Sequence, residues 1–367
     1  MPKKKLLHVT YDMNIGGTEQ VIKNLIDGLN PDRFQSSVLC VDGAIGPWGK
    51  ELQSRGVEHY CFQRQPGFDL ALIKRIRKLV LDERFDIIHA HQYTPYTYGW
   101  FGSVLTGVPI IFTEHGRFYP DFSSAKRKLI NPLLQMRTAA ITAISDATRK
   151  ALVEFENLSA SKIEVIYNGI SDCITHYDQA LAESLGLNEG AVVFGTISRL
   201  DPIKNQVMMI KAFARYLEKN SDARLLIVGD GPIRAELEQL VASLDIAAAV
   251  CFTGFQSKPQ SYLALMDVFL LPSLSEGTSM TLLEAMSFSK PTIATAVGGT
   301  PEIVVDGESG RLIPNQDEAA LVAAMDELGR SPDLRLQMGA QARCSYEKMF
   351  TLPTMVAHYE SLYERLC

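Results

Sequence analysis

Ser275-Glu276-Gly277-Thr278-Ser279-Met280-Thr281-Leu282-Leu283-Glu284-Ala285-Met286 reads as a loop that becomes a helix, with two glutamates eight positions apart. Before it, the apolar run 267–271 ends at Pro272; after it, 291–294 is again apolar and short. Both suit buried strands, so the stretch is a strand-to-helix crossover in a parallel sheet. If Gly277 to Ser279 form the turn, the free N–H groups at the helix start favour an anion, for which a phosphate is the natural guest.

Outward from that stretch, a chain of 367 residues that is 46% apolar is long for one core and sufficient for two. The net charge of −6 argues against general nucleic-acid binding. The charge is uneven, however: residues 1–170 hold 21 Lys+Arg against 17 Asp+Glu, so an anionic partner would meet that half. The six cysteines, Cys40, Cys61, Cys173, Cys251, Cys344 and Cys367, show neither C-x-x-C nor metal-like spacing and fit a reducing compartment. The basic start Lys3-Lys4-Lys5 precedes too short an apolar run for a secretory signal, and no run is long enough to span a bilayer. A cytoplasmic protein, at most peripheral to a membrane, is expected.

Strand and helix patterns alternate along the chain. Strands are predicted over 6–10, 37–41, 57–62, 86–90, 108–113, 139–144 and 163–166, with helices between them, including 48–54 and 70–81. The alternation lapses over 171–190, which reads as a linker. It resumes with strands 192–197, 224–228 and 250–253 and helices 205–217 and 233–244. The fold class is α/β, with two Rossmann-like domains at 1–170 and 191–350. The last stretch, 334–366, is helical twice over with a break near Phe350 to Pro353, and Pro353 suits a helix start.

In open parallel sheets ligands bind outside the carboxyl ends of the strands. Gly16-Gly17 follows the first strand and is either a tight turn or an anion-binding helix start; it is not G-x-G-x-x-G, which weakens a nicotinamide-dinucleotide reading. His89, His91 and His115 end two strands. No Cys or carboxylate completes a zinc set with them, so no metal is expected, and His115 alone is either a ligand contact or a structural histidine. Arg199 and Lys204, in the crossover after the first strand of the second series, offer a planar fork and a point charge for a diphosphate, or are solvated surface cations. Thr281-x-x-Glu284 also fits a capping box. Were the intervening residues helical, Glu276 and Glu284 would lie about 12 Å apart, beyond the roughly 5 to 5.5 Å of a retaining glycosidase pair; they better suit two parts of one elongated ligand.

These residues together resemble the retaining GT-B glycosyltransferases of family four. Glu276 to Glu284 looks like the family's E-x7-E motif. Arg199 and Lys204 match its diphosphate-binding cations, Gly16-Gly17 its N-terminal glycine loop and His115 the histidine near the donor sugar. Asn168-Gly169, Gly229-Asp230-Gly231-Pro232 and Gly298-Gly299-Thr300-Pro301-Glu302 are also similar to family segments.

The resemblance implies two domains facing each other across a cleft, an N-terminal acceptor domain, a C-terminal donor domain, and a terminal helix (351–367) returning to the first. It implies a nucleotide-sugar donor, a UDP-sugar first, and a glycan or lipid-linked acceptor, with retained anomeric configuration and neither cofactor nor metal. Glu284 would hold the ribose, Glu276 the sugar, and Arg199 and Lys204 the diphosphate. Gly16, Gly17, Gly277, Thr278, Ser279 and Met280 would line the donor, His115 would touch its sugar, and Arg117 and Tyr119 would meet the acceptor. Many relatives carry Phe-Gly where this chain has Thr278-Ser279. The run from Arg117-Phe118-Tyr119 and Phe122 to Lys126-Arg127-Lys128 is a solvated helix face or a contact with anionic lipid. A nucleotide-sugar epimerase and a non-catalytic nucleotide-sugar-binding subunit are the alternative readings.

Overall fold

The computed structural model describes residues 3–116, 123–172, 175–187 and 190–366. The chain divides into two compact units, Met1–Ser171 with Thr351–Cys367, and Asp172–Phe350.

Among the described residues, the first unit is built on seven strands: β1 Lys4–Thr10, β2 Phe34–Cys40, β3 Glu58–Cys61, β4 Ile87–His91, β5 Ile110–Glu114, β6 Ala140–Ala143 and β7 Ile163–Val165. They lie in the order β3-β2-β1-β4-β5-β6-β7, all neighbours parallel. Every residue of β4 and β5 is buried, as a sheet covered on both faces requires. Their interiors carry Ile87, Ile88, Ile110, Ile111 and Phe112, β-branched or aromatic side chains that pack well on a pleated surface. Strand β2 begins earlier than its polar Gln35-Ser36-Ser37 suggests, because Phe34 is buried and pairs with Lys4 of β1.

The second unit has six parallel strands, β8 Val193–Ile197, β9 Arg224–Val228, β10 Val250–Gly254, β11 Val268–Leu271, β12 Thr292–Thr295 and β13 Gly310–Ile313, in the order β10-β9-β8-β11-β12-β13. Both sheets thus reverse strand order once, between β1 and β4 and between β8 and β11. Those switch points are where loops diverge and leave room for a ligand.

Helix starts follow their caps: Asp69, Ser145, Asp317 and Ser331 accept from Leu72, Thr148, Ala320 and Leu334 backbone N–H groups, each bond stabilising by about 1 kcal/mol. A helix Gln179–Ser184, capped by Asp178, lies within 171–190. Helix Pro332–Met349 ends at Phe350, and a new helix, Leu352–Leu366, starts with Pro353 in its first turn. This last helix belongs to the first unit. Leu352 N–H donates to Ile170 O at 2.7 Å, and Glu360 accepts from Asn30 N–H at 2.9 Å. A Cβ on Gly169 would stand 2.3 Å from Thr351 O, and one on Gly28 would stand 2.5 Å from Val356. Close backbone approach is what those glycines allow.

Among the described residues no helix is long and apolar enough to cross a membrane. Cys40, Cys61, Cys251 and Cys344 are free thiols; Cys173 and Cys367 lie outside the described residues.

Candidate active site

At the β8/β11 switch point, the loops after these strands are hydrogen-bonded through Leu274 N–H to Ile203 O at 2.8 Å. Lys204, ending the short 3-10 turn Pro202–Lys204, places its ammonium 2.7 Å from Oε1 of Glu276. The Glu276 side chain is only 9% exposed and that of Lys204 25%. Arg199, 70% exposed, pairs with Asp201 at 2.7 Å, and Asp201 in turn accepts from Ile203 N–H. Two further loops brace the site. Gly299 N–H donates to Glu276 O at 3.1 Å, and Gly298 adopts φ +51° with space for a Cβ only 1.8 Å from that same oxygen. No side chain fits there. After β9, Leu200 N–H bonds Asp230 O at 3.0 Å, and a Cβ on Gly229 would meet Ser198 O at 2.0 Å.

The helix of the opening stretch is Met280–Ser287, and its N-cap is Ser279, whose Oγ accepts from Leu282 N–H at 3.4 Å. This removes the capping-box alternative for Thr281-x-x-Glu284. Ser279 takes the cap, Thr281 is already helical, and Glu284 sits mid-helix, free of a capping duty. It also settles where the Ser279 side chain points: back onto its own helix start, 3.2 Å from the Thr281 hydroxyl. Thr278 and Ser279 are buried. Oε2 of Glu284 is buried with no partner among the described residues. Burial pushes its carboxyl up to about 7, and a hydrogen bond from Gln260 opposes that. Gln260, which the sequence did not single out, is brought there by the helix Gln260–Ala264.

In the first unit, Gly16 is the extended N-cap (φ −162°) of helix Gly17–Gly28. A Cβ on Gly16 would meet Oε2 of Glu19 at 2.3 Å, whereas one on Gly17 would meet nothing within 4 Å. Burial raises the Glu19 carboxyl to about 7; the bond to its own N–H opposes this and the charge of Asp12 adds to it. The glycine turn therefore carries a half-buried carboxyl that motif reading missed, although Glu19 stands in its first turn.

His115, one residue past β5, bonds through Nε2 to Nδ1 of His91 at 2.8 Å. His91 Nε2 reaches His8 Nδ1 at 3.2 Å. His89 lies against His91, its ring tilted by 34° with centroids 4.1 Å apart, and its two nitrogens bond Tyr363 Oη and Thr113 Oγ1, each at 2.7 Å. Among the described residues, the three side chains that each bring one ring nitrogen within 4.8 Å of both others are His8, His89 and His91. The mutual cluster therefore differs from the trio weighed from the sequence, with His8 in place of His115. His8 was invisible because only the β1–β4 pairing sets it beside His89. Burial holds His8 and His115 down to about 3, and His89 and His91 well below the ordinary value. All four imidazoles are neutral at neutral pH. Arg117, Phe118, Tyr119 and Phe122 lie outside the described residues. Arg127 of the basic run is committed inward, 3.1 Å from the buried Glu156 and 4.2 Å over the Tyr93 ring.

Two parallel-sheet units, with the terminal helix given back to the first, define the fold class of the GT-B glycosyltransferases. The chain belongs to family four of that class: residues 15–172 match Glycosyltransferase Family 4 and residues 178–344 match Glycosyl transferases group 1. It is 29% identical to the N-acetyl-alpha-D-glucosaminyl L-malate synthase of Bacillus anthracis, covering 84% of this chain and 82% of that one. It is 26% identical to a Campylobacter jejuni N-acetylgalactosamine-N,N'-diacetylbacillosaminyl-diphospho-undecaprenol 4-alpha-N-acetylgalactosaminyltransferase, covering 90% and 92%. The fold matches that of Anabaena Alr3699/HepE in complex with UDP, at a TM-score of 0.87 and 21% identity over 99% of this chain and 100% of that one.

Proposed function

We propose that this glycosyltransferase moves a sugar from a UDP-sugar to a glycan or lipid-linked acceptor, with retention of anomeric configuration and without a divalent metal, in the synthesis of surface polysaccharide or glycoconjugate. The observation that carries this is the Lys204–Glu276 pair at the β8/β11 switch point, on the same crossover as Glu284, whose buried Oε2 has no partner among the described residues. In this reading residues 191–350 are the donor domain and residues 1–170 the acceptor domain, with 171–190 the linker.

Each residue then has a task. Glu284, with Gln260 beside it, accepts hydrogen bonds from the ribose hydroxyls, which supply the partners its buried Oε2 lacks. Arg199 and Lys204 neutralise the diphosphate, and the N–H groups of Gly277, Thr278, Ser279 and Met280 at the helix start add fixed positive potential. Glu276 fixes the sugar hydroxyls; Gly16 and Gly17 leave backbone amides bare toward the phosphates, and His115 contacts the sugar. Arg117 and Tyr119 are assigned to the acceptor. The acceptor oxygen attacks the anomeric carbon on the face from which the diphosphate leaves. The C–O bond to phosphate breaks, and the departing phosphate oxygen takes the acceptor's proton. Charge develops on the leaving group, so cations and helix-end amides lower the barrier where a metal would otherwise be needed.

The test is incubation of the protein with UDP-sugars and acceptor glycans, with product anomers read by NMR and a chelator present throughout. An α-linked product from an α-linked donor, formed undiminished in chelator, is expected. Strict loss restored by magnesium would overturn the metal-free mechanism. Conversion of the nucleotide sugar without acceptor would assign an epimerase instead.

Membrane contact at the inner face of the bilayer is part of the proposal. On helix Ala125–Arg137, Leu129, Leu133 and Met136 are 76%, 64% and 75% exposed. The i, i+4, i+7 spacing sets them on one face, with Lys126 on that same face and Arg137 at its end. An apolar stripe between cations suits an anionic interface better than water. Vesicles containing anionic lipid should pull down the protein at low salt, and the pair Leu133→Ser with Met136→Ser should release it. Equal binding by this variant would remove the helix from the proposal.

A further inference from the structure

The mechanism gives His115 a contact with the sugar and leaves the buried imidazoles behind it, His8 and His91, without a task. His8, His91 and His115 form one line of hydrogen bonds, His8 Nδ1 to His91 Nε2 at 3.2 Å and His91 Nδ1 to His115 Nε2 at 2.8 Å. Its two outer nitrogens, Nε2 of His8 and Nδ1 of His115, are buried and have no partner among the described residues. A neutral imidazole carries one N–H and one bare nitrogen, so each member can give one bond and take one. The line therefore has a single direction: one outer nitrogen is an N–H and the other a lone pair. His89 does not choose between the two directions, because its partners are the hydroxyls of Tyr363 and Thr113, which serve as donor or acceptor alike.

The two ends are not equivalent. His8 lies inside β1, wholly enclosed, and an orphaned buried N–H there is rarer in proteins than an orphaned acceptor. The lone pair belongs at His8 Nε2. The direction follows: His8 Nδ1–H donates to His91 Nε2, His91 Nδ1–H donates to His115 Nε2, and His115 is left with its proton on Nδ1. His115 is only half-buried, at the carboxyl end of β5 where parallel sheets receive ligands, so its N–H is the end nearer an arriving oxygen.

We infer that His91, backed by His8, is a positioning residue that fixes His115 as the Nδ1–H tautomer, so that His115 offers the donor substrate a hydrogen-bond donor for a sugar hydroxyl or phosphate oxygen. The inference rests on the reading of His115 as ligand-facing. It excludes a role for His115 as a base at Nδ1 and makes His91 necessary for turnover without contact to substrate. Charge stays out of the line: with every imidazole neutral, His115 presents a dipole and no net charge.

The experiment is nitrogen NMR of the full chain labelled at histidine, of which it has seven, together with steady-state kinetics. The wild-type protein should show His115 protonated at Nδ1 and bare at Nε2. A proton on Nε2, or an imidazolium at neutral pH, would overturn the inference without any variant. His91→Phe should convert His115 to a mixture of tautomers and lower kcat roughly tenfold, the size of one lost hydrogen bond. His91→Asn, whose amide can stand where Nδ1 stood, should restore the tautomer and recover most of the rate. An unchanged tautomer in His91→Phe would defeat the positioning role. His115→Ala separates the two readings: unchanged turnover in that variant removes His115 from the donor site, whereas its loss beside an unaffected His91→Phe removes only the relay. Zinc that binds stoichiometrically and shifts His8 and His91 together would also overturn it, as the sign of a metal bridging that pair.

Discussion

Glu276→Ala should lower turnover by about a thousandfold, the loss seen when one preorganised transition-state contact is removed, while UDP binds as well as before or slightly better. The asymmetry comes from the pairing in the site. Glu276 is nearly buried and its charge is met by Lys204 at 2.7 Å. Truncation therefore removes the carboxylate assigned to the sugar and frees an ammonium assigned to the diphosphate. Nucleotide affinity should hold or rise, because Glu284 and Arg199 are untouched. Glu276→Gln keeps the shape and loses only the charge, so it should fall between the two. Calorimetry with UDP and transfer rates at saturating donor measure the two effects separately. Turnover unchanged in Glu276→Ala would end the role given to it; equal losses in binding and rate would mean the substitution had damaged the loop. The close approach of Gly298 to Glu276 O makes that control worth reading from the melting temperature.

Strands announced themselves where both faces are buried: 268–271 and 192–194 are apolar because β11 and β8 are buried along their whole length. The crossover carrying Glu276 and Glu284 was legible for the same reason, and its neighbours Arg199 and Lys204 followed from the repeat of strand, turn and helix. What escaped depends on contacts distant in sequence. Ser279 and Thr281 are both plausible caps on paper; the choice is made by where the backbone leaves the helix, at φ −71° and ψ 119° for Ser279. His8 reads as one polar residue in a strand, and its partnership with His91, 83 positions on, exists only because β1 and β4 are neighbours. Gln260 and Glu19 match no motif. Each is recognisable only once a carboxyl loses its water, which burial decides and sequence spacing does not. Arg127 stood in a basic run that read as surface; the buried Glu156 draws it inward.

Substituting Arg199 and Lys204 together should weaken UDP by at least about a hundredfold and leave uridine within a few-fold, because each charge-assisted hydrogen bond to a phosphate is worth about 1.5 to 3 kcal/mol and neither cation is assigned to the nucleoside. The single variants should differ in a way the structure dictates. Arg199 is largely exposed and its bond to Asp201 is a surface ion pair, which adds little to stability. Arg199→Ala should therefore lose UDP affinity with the melting temperature almost unmoved. Lys204→Ala leaves the carboxylate of Glu276 nearly buried and without its cation. That costs folding free energy as well as affinity, though less than a wholly buried pair because Lys204 still touches water. Its melting temperature should drop, and Lys204→Arg should restore stability better than it restores transfer, since a planar fork does not replace a point charge at this short distance. Salt provides an independent reading: raising ionic strength should weaken UDP in the wild-type protein and barely affect the double variant. If uridine and UDP lose affinity equally, the two cations are holding the loop together and the diphosphate is bound elsewhere.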